Sequence, residues 1–201
     1  MTTQPEATTT AGEWAEALVH GRRTVLPKRL AGPGPDAAQL QRILGAAAAA
    51  PDHGELLPWR FVLVPQQART VLADVFAGAL QERDAQATDE QVAQAREKAF
   101  RAPVLLLAVC DLGTHDAEVP AIERIVSAGC AIQNMLLLAT ALGFGSALTS
   151  GKALRSGGLR RLFGLGASEQ ALCFVSMGTI ASHRRARARP GVDRYVSELQ
   201  A

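Results

Sequence analysis

The sequence predicts one layered domain in which a central β-sheet is flanked by helices. Helical stretches outnumber strands, and long helical connections separate one strand from the next. The run Val104, Leu105, Leu106, Leu107, Ala108, Val109 and Cys110 is apolar throughout and rich in strand formers, the signature of a strand buried on both faces. A chain of 201 residues suits a single domain with a full core, and two independent domains would be cramped. With 48% apolar and 20% charged residues the composition is that of an ordinary soluble protein, and no internal repeat is present.

Residues 1–12 are polar and threonine-rich without a basic-then-apolar order, so they read as a disordered lead rather than a targeting signal. Residues 13–201 then form the domain. A short helix over 14–20 delivers the chain to Arg22 and Arg23. Gly32, Pro33, Gly34 and Pro35 break regular structure, and Asp36 caps a helix over 37–50 that Pro51 ends. Residues 61–64 read as a strand, 67–80 as an amphipathic helix, 81–88 as an exposed connection and 89–100 as another helix. Arg101, Ala102 and Pro103 punctuate the chain before the buried strand 104–110, which is expected at the sheet's centre. Pro120 opens a long helix to about residue 142, apolar on nearly every face after Ile125, which calls for burial in a core or a subunit interface. Gly143 stops it, and 146–149 is a short strand. Residues 151–166 are broken and glycine-rich with a short helix near 159–163, 172–177 is the last strand, and a basic tail covers 183–201.

Several function classes find no support. A formal net charge of +2 is too small for nucleic-acid binding, which needs a concentrated basic face. The basic run from His183 to Arg189 reads first as a solvated connector and, more sharply, as the source of one arginine that reaches a cofactor phosphate. The most apolar stretch, 132–142, is too short to span a bilayer, so no membrane segment is expected. Cys110, Cys130 and Cys173 lie in apolar runs with no CxxC spacing, which fits a reducing cytoplasm. No histidine is spaced with cysteine or carboxylate like a metal site. Ser150, Gly151, Lys152 and Ala153 fail as a phosphate loop because Ala153 stands where a hydroxyl is needed and Ser146 where a glycine is needed. Gly143, Phe144 and Gly145 lack the third glycine of a dinucleotide fingerprint and follow a helix rather than a strand.

What remains is a cofactor site. Arg22 and Arg23 are adjacent guanidinium forks suited to a phosphate, and Thr24 adds a hydroxyl. A loop bracketed by Pro51 and Pro58 carries Asp52, His53, Gly54, Glu55, Leu56 and Leu57, placing an imidazole and polar backbone where a flat heterocycle could lie. Trp59, just before a strand, reads as a packing anchor. Together with the Ser127, Ala128, Gly129, Cys130, Ala131 helix and the Gly143, Phe144, Gly145 turn, these segments resemble the nitroreductase family, in particular its small single-domain flavin-dependent branch. The resemblance runs from about Arg22 to the C-terminus.

That resemblance implies an α+β nitroreductase-like fold with a central mixed sheet, and an intertwined homodimer built on long central helices with tails that embrace the partner. It implies FMN as cofactor and NAD(P)H as electron donor. Arg22, Arg23 and Thr24 would serve the FMN phosphate and the pyrimidine edge, His53 would reach the flavin across the dimer interface, and Ser150 with Gly151 matches the family pattern. Leu57 stands where small-branch members usually carry a polar residue, and Leu148 and Thr149 stand where the pattern is commonly tryptophan and arginine. These positions still line the implied site, and the differences bear on how tightly a flavin is held and oriented. Arg184 or Arg185 would bring the basic residue that the family places near the phosphate, and Arg185 is taken for that role. No side chain is expected to act as a catalytic group, because the flavin carries the redox chemistry. The implied activity is hydride transfer from NAD(P)H through FMN to a small electron-poor acceptor such as a nitroaromatic or a quinone. The alternatives are a flavin-binding dimer without redox turnover and an FMN enzyme with another organic substrate.

Overall fold

A computed structural model of the chain describes residues 10–113, 118–182 and 188–200. The first helix, α1 (Ala11–Gly21), is fixed by a capping box: the Glu13 N–H donates to Thr10 Oγ1 at 3.3 Å, and Glu13 Oε2 accepts the Thr10 N–H at 2.7 Å. It takes in the last two residues of the expected lead, whose residues 1–9 lie outside the described ones. A 3-10 turn (Pro27–Arg29) leads to a two-residue strand, β1 (Leu30–Ala31), too short to be read from sequence. Asp36 and Gln39 form a second capping box for α2 (Ala37–Gly45), which tightens into a 3-10 turn (Ala46–Ala49) before Pro51. The expected single helix over 37–50 therefore changes type at Gly45, a weak helix former shortly before a residue that cannot donate.

The remaining elements are β2 (Trp59–Leu63), α3 (Arg69–Arg83), α4 (Asp89–Glu97), β3 (Val104–Asp111), α5 (Ala121–Ala141), β4 (Gly145–Thr149), α6 (Gly157–Leu162) and β5 (Glu169–Ile180). Helix α3 runs three residues beyond its expected end, so the exposed connection shrinks to 84–88. Strand β5 is twice the expected six residues. Its start is held by Glu169, which pairs with Arg60 at 2.6 Å, and its end by pairing with β4 and β1.

The sheet order is β1-β5-β3-β2, with β4 also on β5, and every named pair is antiparallel. Its mixed character comes from one parallel bridge between Thr24 and Ser146. Alternation along β3 explains the unbroken apolar run. Val104, Leu106 and Ala108 face a core closed by α2 and α5, whereas Leu105, Leu107 and Val109 face a second core closed by α3 and α6. Helix α5 is long and apolar enough to cross a membrane by length and composition, but Ala128, Ala131, Ile132, Met135 and Leu136 are buried within the chain. Within one chain α5 is covered on one side only: Ile122 is 64% and Val126 58% exposed.

One buried cation ties these layers together. Arg69, at the start of α3, is 1% exposed, and its guanidinium donates to the carbonyls of Val64 (2.9 Å), Ala99 (2.6 Å), Ala102 and Pro103 (both 3.3 Å). Val64 lies between β2 and α3 and the other three between α4 and β3, so a single side chain satisfies two connections whose oxygens would otherwise be buried unpaired. Burial pushes the Arg69 pKa down. Replacing Arg69 with Met should lower unfolding free energy by about 3 kcal/mol in urea titration, since four acceptors lose their donor. In the same assay Gly78→Ala in α3, where a Cβ would meet nothing within 4 Å, should stabilise by about 0.5–1 kcal/mol.

Candidate cofactor site

The first half of the site is built where α1 ends. The Arg22 N–H caps α1 on Leu18 O at 3.0 Å, and the Arg23 guanidinium donates to the carbonyls of His20 and Arg22. From the tail, Arg189 Nη2 donates to Arg22 O at 2.9 Å. Three guanidinium-bearing residues thus meet at one carbonyl, and among the described residues none of them is paired with a carboxylate. Burial first, then the charges of Arg189 and Arg23, push the Arg22 pKa down. Such a cluster of like charge is relieved by an anion with several acceptor oxygens.

Next in the chain, Thr24 forms the parallel bridge to Ser146, and the Val25 N–H donates to Ser146 O at 2.9 Å. Ser146 Oγ is buried without a hydrogen-bond partner among the described residues, an orphaned hydroxyl beside the arginine segment. Further along β4, Leu148 is 44% exposed. Thr149 and Ser150 border a cavity of about 830 Å³ whose rim also includes Leu26 and Lys28 and whose far wall is α3 and α4. Its size is that of small-molecule and cofactor sites.

The second half lies on the loop before β2. Gly54, Glu55 and Leu57 have φ of 73°, 54° and 48°, left-handed backbone that costs energy for the two with side chains. The turn is held by the Leu57 N–H, which donates to Asp52 Oδ2 at 2.6 Å. His53 Nδ1 lies 2.8 Å from Glu123 Oε2 on α5, and Pro51 and His53 border a small cavity of about 240 Å³ with Ile122, Glu123 and Val126. Leu57 is 62% exposed and borders neither cavity. Trp59 is a packing residue, as expected: its Nε1 donates to Ser127 Oγ at 3.1 Å and its ring tilts against Phe61, centroids 5.6 Å apart.

A single chain does not bring the two halves together. In the order β2-β3-β5-β4, the His53 loop leads into one outer strand and Thr149 ends the other, three strand spacings or roughly 14 Å away. Along the strands, Trp59 aligns through Cys110 with Gln170, whereas Thr149 aligns with Phe174, a further offset of roughly 13 Å. Arg22, Arg23, Thr24, Leu148, Thr149 and Ser150 cluster on the β4 side; His53 and Leu57 do not join them. Arg184 and Arg185 lie outside the described residues; among the described residues of the tail, Arg189 reaches Arg22. Arg189 lies in the arginine run to which the sequence points without singling it out, and Lys28, which borders the cavity, carries no motif.

A model of the nitroreductase family matches residues 19–179. A relative from Haemophilus influenzae, provisionally named NAD(P)H nitroreductase, is 36% identical over 152 residues, covering 76% of this chain and 82% of that protein. Among solved structures, a nitroreductase-like family protein from Bacillus cereus superposes with a TM-score of 0.78 at 18% identity, covering 98% of this chain and 100% of the other. A tyrosine variant of the FMN- and NADPH-dependent nitroreductase NfnB from Sphigopyxis sp. strain HMH superposes with a TM-score of 0.72 at 21% identity, covering 92% and 98%.

Two thiols are set aside by their surroundings. Burial pushes Cys110 and Cys173 up to about 11, with the neighbouring Asp111 charge adding to the effect at Cys110. Both stay protonated at neutral pH and are poor nucleophiles. Iodoacetamide at mildly alkaline pH should therefore leave Cys110 and Cys173 unmodified in the folded protein and alkylate both in urea, read by peptide mass spectrometry.

Proposed function

The chain belongs to the nitroreductase family, and we infer that it is an FMN-dependent oxidoreductase that takes electrons from NAD(P)H and delivers them to a flat, electron-poor acceptor such as a nitroaromatic or a quinone. The observation that carries this reading is the Arg22, Arg23 and Arg189 cluster, which has no carboxylate partner among the described residues and leads through Thr24 to β4 and the large cavity. These residues fit FMN. The guanidiniums of Arg22, Arg23 and Arg189 would bind the phosphate by charge-assisted donation. Thr24 would offer its hydroxyl to the pyrimidine edge, and Thr149 and Ser150 would border the ring. When bound, FMN supplies the redox chemistry, and the protein supplies orientation, charge and exclusion of water. Lys28, on the same cavity, would keep positive charge where the reduced cofactor is anionic.

We place His53 and Leu57 at the cofactor of a second copy. The separation of the two halves across the sheet supports a shared site. So does the apolar surface that one chain leaves uncovered on α5, with Ile122, Ile125 and Val126 at 64%, 37% and 58% exposure. Strain at Leu57 fits a loop shaped for contact beyond its own chain. Three cysteines with no CxxC spacing, Cys110 and Cys173 of them buried, suit a cytoplasmic enzyme. A second reading, flavin binding without turnover, is favoured by Leu57, Leu148 and Thr149, which stand where the resemblance implies a polar residue, a tryptophan and an arginine in support of the flavin.

Purified protein loaded with FMN should lose its oxidised-flavin absorption on anaerobic addition of NADH or NADPH and regain it when a nitroaromatic or quinone is added. A flavin that stays oxidised would favour the binding reading. Replacing Arg22 and Arg23 together with Ala should weaken FMN binding by roughly 100-fold or more, since each charge-assisted bond contributes about 1.5–3 kcal/mol, while Arg42→Ala leaves it unchanged. Thr149→Arg should tighten FMN, measured by fluorescence quenching of the free flavin. Unchanged affinity would mean that another cation already fills that place.

A further inference from the structure

The large cavity carries more positive charge than a flavin contact at Lys28 uses. Lys28, Arg83, Lys98, Arg101 and Lys152 all border it, against one carboxylate, Asp84. Arg101 is paired with Glu97 at 3.1 Å, and Asp84 can offset one more cation. Lys28, Lys98 and Lys152 have no hydrogen bond or ion pair among the described residues. The cations fall into two groups. Lys28 and Lys152 lie at the end formed by β1's leading turn and the segment after β4, whereas Arg83 and Lys98 stand on the wall made by α3 and by the turn after α4. The lining also carries an apolar and aromatic part, Leu80, Leu105 and Leu154 with Phe76 set edge-on to Phe174 at 5.5 Å. A concave, partly apolar space of this kind focuses the field of its cations and strengthens their hold on an anion.

We propose that this cavity selects electron acceptors that carry an anionic group, a carboxylate or its equivalent, on a flat aromatic body. The aromatic body takes the apolar part beside Thr149 and Ser150, and the anion is held by Lys98 and Arg83 on the α3 and α4 side. This rests on the flavin lying at the Thr149 end. An anionic group could also arrive on the donor, as the extra phosphate that distinguishes NADPH from NADH. Lys98 and Arg83 belong to the α3 and α4 side of the lining, whereas Thr149 ends β4 and Ser150 follows it, and this separation assigns the two cations to the acceptor.

The test is calorimetric binding to the FMN-loaded protein of 4-nitrobenzoate and its uncharged methyl ester, with NADP+ and NAD+ titrated in parallel. The acid should bind roughly tenfold more tightly than the ester. That preference should shrink as salt rises from about 50 to about 500 mM, because screening weakens ionic attraction. The double variant Arg83→Gln with Lys98→Gln should lose most of the preference, bind the ester within about twofold of the parent, and leave the NADP+ to NAD+ ratio unchanged. Equal binding of acid and ester by the parent protein would overturn the proposal, as would a variant that loses discrimination between the nucleotides instead. Should the double variant fail to fold, the salt dependence of the parent protein and Lys98→Gln alone decide the matter. The flavin absorption of the same samples separates the two levels: a preference for the acid in protein that never takes up FMN would contradict the flavin assignment and not the anion site.

Discussion

Strand β5 is the member on which the other parts depend, because it is paired along both edges. On one edge it carries β3 from Val104 to Asp111, and on the other it carries β4 from Gly145 to Thr149. Its last residues also receive β1. This crowding requires small residues. A Cβ on Gly145 would come within 2.7 Å of Leu30 Cδ2 and 2.8 Å of Ile180 Cγ1, and one on Gly178 within 2.7 Å of Pro103 Cδ and 3.0 Å of the Ala31 carbonyl oxygen. Only with glycine at both places can the segment after α1 lie against β4, which brings the bridge from Thr24 to Ser146 and the arginines just before it to the sheet. The placement of the arginine segment depends on this close packing.

The same sheet explains why the site is divided. A strand order that places β2 and β4 on opposite sides of the β3 and β5 pair holds the His53 loop away from Thr149, and no local adjustment closes that distance. Helix α5 lies under the His53 loop through Glu123 and leaves apolar residues uncovered nearby, so the surface that a second copy would cover and the loop that it would use are neighbours. Packing, charge and loop strain point the same way. Arg22, Arg23 and Arg189 have no carboxylate partner among the described residues, Ile122 and Val126 of α5 are exposed, and Leu57 holds a costly backbone with its side chain exposed.

Much of this was legible in the chain. The apolar run of β3, the Asp36 cap and the breaks at Pro51 and Gly143 left local signals that tertiary contacts did not override. The two-residue β1 and the full length of β5 were not legible, because both are set by partners distant in sequence rather than by local pattern. At the candidate site, Arg22, Arg23 and Thr24 were proposed from residue chemistry and from likeness to a family, and the fold brings them beside β4. Arg189 stands in a run of similar residues, where local pattern gives no reason to single it out for contact with Arg22. The buried Arg69 gave no signal at all, since an arginine early in an amphipathic helix reads as solvent-facing until the carbonyls around it are known.

Whether two chains share each cofactor is tested most directly by sedimentation of the FMN-loaded protein followed through flavin and protein absorption together. If Arg22, Arg23 and Thr24 of one copy act with His53 and Leu57 of another, flavin absorption moves only with the dimer, at one flavin per chain, and dilution that separates the dimer releases the flavin. Flavin that travels with a single chain at undiminished affinity would contradict a shared site.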